Sequence, residues 1–269
     1  MTRKGLAVSS LAWGREDAEE AMAILVRRGV GGIELAPATV VPDWDWGPGV
    51  AEDLRRRMYD RGFAIPALQG IFFGIKGLAL FGDRAGQDRL VAHCGRVAHL
   101  AARLGASVCV FGAPGMRRPG RPFAEAKAEA VEVLGRCARA AWAEGAALAF
   151  EPNPAIYGCE FATTLAEAWE VVQAVGEPGL GIQWDGGQIE ASGAGDNPAL
   201  AASAARCLHA HASQPGLGPF APPAAAHARL AAALPAAASP WLSLEMKAAG
   251  LAALDEALIR VREIYANVL

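Results

Sequence analysis

Four residues with the side chains of divalent-metal ligands recur along the second half of this 269-residue chain: Glu151, Asp185, His211 and Glu245. Each sits at the end of a short apolar run, in Leu148-Ala-Phe-Glu151-Pro-Asn153, Gly181-Ile-Gln-Trp-Asp185, His209-Ala-His211-Ala-Ser213 and Trp241-Leu-Ser-Leu-Glu245-Met-Lys247. A lone acid at a strand end is more often a helix cap, and a lone strand histidine more often a packing residue. Recurrence at four successive strand ends points instead to one shared ion. Three carboxylates converging on one cavity repel each other and are costly to bury unless a cation sits between them. Oxygen-rich donors with one imidazole suit Mn²⁺, with Mg²⁺, Co²⁺ or Zn²⁺ as alternatives, rather than a thiolate-bound structural zinc. Strand side chains alternate, so Glu151 shares a face with Ala147 and Ala149, and Glu245 with Ser243 and Lys247. Small residues beneath the acids leave room for a cavity. His209 lies two residues deeper on the face of His211 and is assigned to packing or to support of a ligand.

The elements that must position these residues alternate along the chain. Apolar or β-branched runs predict strands at 5–10, 32–36, 64–69, 107–112, 147–152, 181–185, 207–213 and 241–246. Helical spacing predicts helices at 17–28, 51–60, 89–104, 124–143, 164–175 and 251–268, several of them stopped by Gly29, Gly62, Gly105 or Gly145. Eight strand–helix units predict an α/β protein, a (β/α)8 TIM barrel forming a single domain over 1–269. In that fold the chemistry belongs at the C-terminal ends of the strands. An open doubly wound sheet is the alternative, but it wants a Gly-rich turn after the first strand, and Ser9-Ser10-Leu-Ala-Trp13 is not one. The Ala- and Pro-rich stretch 221–239 is expected to be a solvated loop with a short helix.

Composition narrows the partners. Hydrophobic residues at 53% and charged residues at 20% exclude disorder. A net charge of −3, from 25 Lys+Arg against 28 Asp+Glu, argues against nucleic acid or an anionic membrane as partner. That balance points to a cytoplasmic enzyme or binding protein acting on a small molecule, and Cys94, Cys109, Cys137, Cys159 and Cys207 form no C-x-x-C pair and do not read as a disulfide framework. The first residues read as a strand rather than a signal peptide. The longest uncharged stretch, 207–228, is broken by histidines and prolines and cannot cross a bilayer as a helix.

From its first strand to its last helix the chain resembles the xylose-isomerase-like TIM-barrel superfamily of sugar isomerases and epimerases. The resemblance rests on Glu151-Pro-Asn-Pro, Tyr157-Gly-Cys-Glu-Phe161, Asp185-Gly-Gly, His211-Ala-Ser and Ser243-Leu-Glu-Met-Lys247, with Leu104-Gly-Ala leading into the fourth strand. It implies that Glu151, Asp185, His211 and Glu245 bind one divalent ion, and that Glu151 and Glu245 flank a sugar and exchange its proton. An ion chelating a carbonyl and an adjacent hydroxyl acidifies the neighbouring C–H. One glutamate then removes the proton, giving an enediolate. The other returns it to the opposite face, inverting the centre, or to the neighbouring carbon, isomerising the sugar. Two positions depart from the family pattern. Gln188 stands where family epimerases usually carry a substrate-contacting histidine, and an amide cannot carry a proton. Gln214 stands where the strand-seven motif often continues to an acid.

Trp13, Gln69, Phe72, Tyr157, Glu160 and Gln188 follow strands and are candidates to line a sugar pocket, with Lys247 beside Glu245. Glu34 is a candidate to orient a hydroxyl or a ligand, and Arg117 and Arg118 to hold an anion, although loop charges are commonly just solvated. The expected function is a metal-dependent isomerase or epimerase of a ketose or related polyol. Alternatives on the same scaffold are a lyase, of inosose-dehydratase or C-glycoside-cleaving type, and a non-catalytic sugar-binding barrel. The expected partner is a small sugar or polyol, without nucleic acid or membrane, and a homo-oligomer is allowed. Endonuclease-like members of the superfamily bind three zinc ions with further histidines on strands three and four; the matching strand ends here are Gln69 and Gly112-Ala-Pro. Abasic duplex DNA should therefore stay intact, with no salt-dependent binding in a fluorescence-anisotropy titration. Incision at a catalytic rate would overturn this.

Overall fold

The computed structural model describes residues 3–193, 198–221 and 225–269. Its strands are β1 (Gly5–Ser9), β2 (Gly32–Glu34), β3 (Ala67–Leu68), β4 (Val108–Phe111), β5 (Ala147–Phe150), β6 (Leu180–Asp185), β7 (Cys207–Ser213) and β8 (Trp241–Glu245). All pair in parallel, in the order β2-β1-β8-β7-β6-β5-β4-β3. Two isolated parallel bridges, Gly32 with Ala64 and Leu35 with Leu68, join the ends of this order and make a nearly closed barrel. The third strand is shorter than expected because Pro66 has no N–H to give to a ladder.

Around the barrel lie α1 (Ala18–Arg27), α2 (Pro37–Val40), α3 (Val50–Asp60), α4 (Arg84–Leu104), α5 (Phe123–Ala143), α6 (Leu165–Val175), α7 (Gly186–Ala191), α8 (Pro198–Ser203), α9 (Ala225–Ala233) and α10 (Leu251–Ile264). Helix α4 starts before the expected 89 because the Asp83 side chain accepts the Gly86 N–H at 2.7 Å, satisfying a first-turn donor. It stops at Gly105, whose φ of 82° suits glycine and few other residues. Val8, Leu148, Ile182, Trp184 and Leu244 are buried in the core shared by sheet and helices. On the other strand face, Ala7, Ala67, Ala147 and Ala149 are the small neighbours of Ser9, Gln69 and Glu151. Bulk goes outward to the helices and the lumen keeps its space for polar groups.

One expectation needs correcting. Within 221–239 the helix α9 is present, but it is not simply solvated: His227 and Leu230 are both fully buried. His227 Nδ1 pairs with the Tyr265 hydroxyl at 2.7 Å, which ties α9 to the end of α10. Residues 222–224 of that stretch lie outside the described residues. All five cysteines are buried and free. No helix among the described residues is long and apolar enough to cross a membrane.

Candidate metal centre

Sheet register sets the height of each candidate ligand. Asp185 lies opposite His211, His211 opposite Ser243, and Ser213 opposite Glu245. Glu151 follows directly after β5 and stays in line because its N–H donates to the Phe111 carbonyl at 3.1 Å. Glu151, Asp185, His211 and Glu245 are all buried, and one donor atom from each lies within 4.8 Å of the others. His211 Nδ1 is 3.0 Å from Glu245 Oε2, 3.3 Å from Asp185 Oδ2 and 3.9 Å from Glu151 Oε1.

Three of the four candidate ligands are held by their far sides. Asp185 ends β6 and caps α7, with Oδ1 accepting the Gln188 N–H at 2.8 Å and the Ser213 hydroxyl at 2.6 Å, which leaves Oδ2 for the cluster. The two glycines after it have steric reasons. A Cβ on Gly186 would strike the His227 ring, and one on Gly187 would strike Ser213 and the Gln214 backbone. Glu151 Oε2 accepts from Asn153 Nδ2 at 2.9 Å, and a Cβ on Gly112 would approach that oxygen to 2.7 Å. His211 Nε2 donates to Glu34 Oε1 at 3.0 Å, and His209 Nε2 lies 3.3 Å from the same oxygen. An imidazole that gives one N–H to a carboxylate turns the other nitrogen's lone pair toward a metal.

The electrostatics fit a cation. Burial, then the charges of Asp185 and Glu245, push the Glu151 carboxyl from its ordinary 4.5 up to about 8. Burial also raises Glu245, with Asp185 and Glu34 adding to the rise against the pull of His211. Burial opposes a charged His211, yet Glu34 and Glu245 outweigh it and hold the imidazole well above its usual value. Glu34 also resists its own burial, kept well below the carboxylate range by His211 and His209. Without a cation the cluster therefore holds protons that a divalent ion would replace. Glu34 Oε2 and Asn153 Oδ1 are buried without a partner, as expected where polar atoms surround a site built for further ligands.

The other sequence candidates divide. Gln69 and Phe72 line a cavity of about 430 Å³ together with Glu151 and Glu245. Tyr157, Gln188 and Lys247 line an adjoining cavity of about 260 Å³ that also reaches both glutamates. Trp13 is not brought there; it lines a separate cavity of about 410 Å³ with residues of α1 and α3 such as Met22 and Leu54. Glu160 is also elsewhere, accepting the Gly120 N–H at 3.2 Å. Arg117 is not solvated: it is fully buried, donates to the Phe111 carbonyl at 2.8 Å, and stacks 4.2 Å over the Phe150 ring. Arg118 donates to the Gly158 carbonyl at 2.6 Å. Gln214 turns away from the cluster, its Nε2 donating to His227 Nε2 at 3.2 Å. Sequence reading missed Asn153 and Ser213 as supports, although each lies two positions beyond a ligand candidate. A larger cavity of about 720 Å³, over α4 beside Trp46 and Arg103, touches none of the four candidate ligands.

Fold and site together define a (β/α)8 barrel whose strand ends gather acidic and imidazole side chains that could bind a metal. The chain belongs to the xylose isomerase-like TIM barrel family, whose model matches residues 22–259. No curated protein matches it in sequence. It is similar in structure to a D-psicose 3-epimerase from Clostridium cellulolyticum H10, solved with D-tagatose, at TM-score 0.80 and 13% identity over 98% of this chain and 99% of that one. It is similar to an IOLI protein solved with a zinc atom, at TM-score 0.70 and 15% identity over 98% and 99%. It is also similar to an AP endonuclease, family 2, from Brucella melitensis, at TM-score 0.73 and 16% identity over 95% and 96%. At these identities the likeness concerns the fold.

Two measurements follow from this geometry. Glu34→Gln should weaken divalent-metal binding by about 10–100-fold in calorimetry, because an amide no longer fixes His211 Nε2 as the protonated nitrogen. An unchanged affinity in a folded variant would remove Glu34 from that role. The second concerns pH. A carboxyl raised from 4.5 to about 8 binds more protons folded than unfolded across that window, so its contribution to stability is lost as pH rises. Metal-stripped protein should therefore melt at lower temperature as pH increases from about 5 to 8, and the increment from excess Mn²⁺ should grow over the same range. An increment independent of pH would contradict the coupling.

Proposed function

We propose that this chain is a divalent-metal-dependent isomerase or epimerase of a sugar or related polyol, in which Glu151 and Glu245 move the substrate proton. The observation that carries the proposal is how the four ligand candidates meet the cavities. Asp185 and His211 are sealed at 0% exposure, whereas Glu151 at 8% and Glu245 at 7% reach the cavities at the barrel mouth. Two of the four can thus touch a ligand and an ion together.

Glu151, Asp185, His211 and Glu245 would hold a divalent ion, Mn²⁺ in this reading, which would supply the positive charge that makes a C–H beside a carbonyl acidic enough for a carboxylate to remove. The zinc held by the structurally similar IOLI protein supports a metal on this scaffold, and the D-tagatose bound to the similar epimerase supports a sugar as substrate. The remaining work falls to this chain. Glu151 Oε1 and Glu245 Oε2 face the cluster, which leaves Glu151 Oε2 and Glu245 Oε1 for the substrate. Asn153 orients the first of these. One glutamate takes the proton to give an enediolate and the other returns it, on the opposite face for epimerisation or at the adjacent carbon for isomerisation. Gln188, with its buried Oε1 unpartnered, can accept a substrate hydroxyl but cannot relay a proton. Gln69, Phe72, Tyr157 and Lys247 complete the walls around the substrate. The chain acts in this reading as one cytoplasmic domain on a small molecule.

Glu151→Gln and Glu245→Gln should each lower kcat by about 10²–10⁴-fold at saturating Mn²⁺, with a smaller change in KM. The native enzyme working in D₂O should place one carbon-bound deuterium in a product of unchanged mass otherwise, whereas a dehydrating lyase would lose water. Near-native kcat in both variants would overturn the two-base proposal.

A further inference from the structure

The two cavities that meet at Glu151 and Glu245 differ in chemistry. One offers Asn153, Tyr157, Gln188 and Lys247, a set of amide, phenol and amine groups suited to hydroxyls. The other, at about 430 Å³, is walled by residues such as Phe72, Ile75, Leu78, Val110, Met116 and Leu217. Among the described residues, Gln69, Glu151 and Glu245 are its only polar side chains, and the Gln69 amide already donates to Ser9 Oγ. At its rim Phe73 is 75% exposed. Phe73 does not pack against the core, unlike its neighbour Phe72. An aromatic ring held in water at the mouth of a polar site, continuous with an apolar wall, has no folding role to explain it.

We infer that the apolar cavity receives an apolar substituent, an aryl or alkyl group attached to the sugar. The substrate is then a sugar that keeps a carbonyl for the proton transfer, a glycoside bearing a ring ketone or an ether of a ketose, and not a free ketose. This rests on the sugar reading above and refines it. A free ketose carries a hydroxyl on nearly every carbon, and hydroxyls directed into this cavity would lose their water partners without replacement. The polyol part belongs in the polar cavity, where partners exist. Because both cavities include Glu151, Leu217 and Glu245, one molecule can span them with its reacting carbon at the carboxylates. An aromatic or branched alkyl group would fill the remaining space and cover the apolar wall.

The test titrates Mn²⁺-loaded protein with the methyl and phenyl β-D-glucopyranosides oxidised to the ketone at C3, and with D-fructose, by calorimetry. The phenyl glycoside should bind at least about tenfold more tightly than the methyl glycoside, since the added ring carries the apolar surface to be buried. The double variant Phe73→Ser/Leu78→Ser, checked for an unchanged melting temperature, should shrink that ratio several-fold. If the double variant fails to fold, Phe73→Ser alone, on a side chain outside the core, should still shrink it. Equal binding of the two glycosides, or a ratio untouched by the substitutions, overturns the assignment. Binding of D-fructose with refusal of both glycosides also overturns it and leaves the sugar reading standing. Refusal of all three overturns both.

Discussion

Mutual repulsion among buried carboxylates is the constraint around which the barrel mouth is organised. Glu151, Asp185 and Glu245 converge on His211, and Glu34 approaches the same imidazole from below. Two unit charges 4 Å apart interact by about 4 kcal/mol at an effective dielectric near 20. Several such repulsions rival the 5–15 kcal/mol or so by which a whole domain is stable. The cluster cannot stay fully ionised on its own. A protonated His211 supplies one positive charge against four acids, and the raised Glu151 and Glu245 carboxyls take up part of the remainder as protons. A divalent ion answers the same imbalance with all ligand oxygens ionised.

The scaffold is arranged so that this exchange needs little movement. Asp185 Oδ1 is tied to the start of α7 and to Ser213, Glu151 Oε2 to Asn153, and His211 Nε2 to Glu34. These three ligand candidates each keep one atom on the protein and turn another toward the centre. Supports of this kind fix rotamers before the ligand arrives, which is the usual requirement for a metal or catalytic site with tight geometry. The glycines of Asp185-Gly-Gly belong to the same arrangement. They let β7 and the His227 ring approach closely enough for Ser213 to reach Asp185.

Much of this was legible in the sequence, for a physical reason. Strand alternation and the rule that barrel chemistry sits at strand ends are local, so Glu151, Asp185, His211 and Glu245 could be picked out before any coordinates. The barrel itself followed from the repeated strand–helix spacing. What the sequence did not reveal depends on long-range packing. Whether the loop after a strand folds over the mouth or away from it is decided by partners far along the chain, so Trp13 settled near α1 and α3 and Glu160 near Gly120. Arg117 looked like a solvated loop charge, yet Phe150 and the carbonyls of Phe111 and Gly112 enclose it. His227 lay hidden in an Ala- and Pro-rich stretch, and its burial is explained by partners outside that stretch, Gln214, Phe220 and, in the last turn of the chain, Tyr265.

The departures at Gln188 and Gln214 restrict the chemistry rather than remove it. Gln188 presents an amide, which cannot carry a proton, and Gln214 is engaged with His227. The titratable side chains left at the two cavities are Glu151, Glu245, Tyr157 and Lys247. The Tyr157 hydroxyl accepts the Gly216 N–H at 2.8 Å, on the wall away from the carboxylate cluster. Lys247 is exposed and lies beyond the buried end of β8. A proton removed from a substrate at the cluster therefore has two places to go, and they are the two glutamates. In the proposed reaction that closes the proton inventory: one glutamate must finish each turnover protonated and the other deprotonated. Solvent then has to restore the starting state through the same narrow exposure by which the substrate enters.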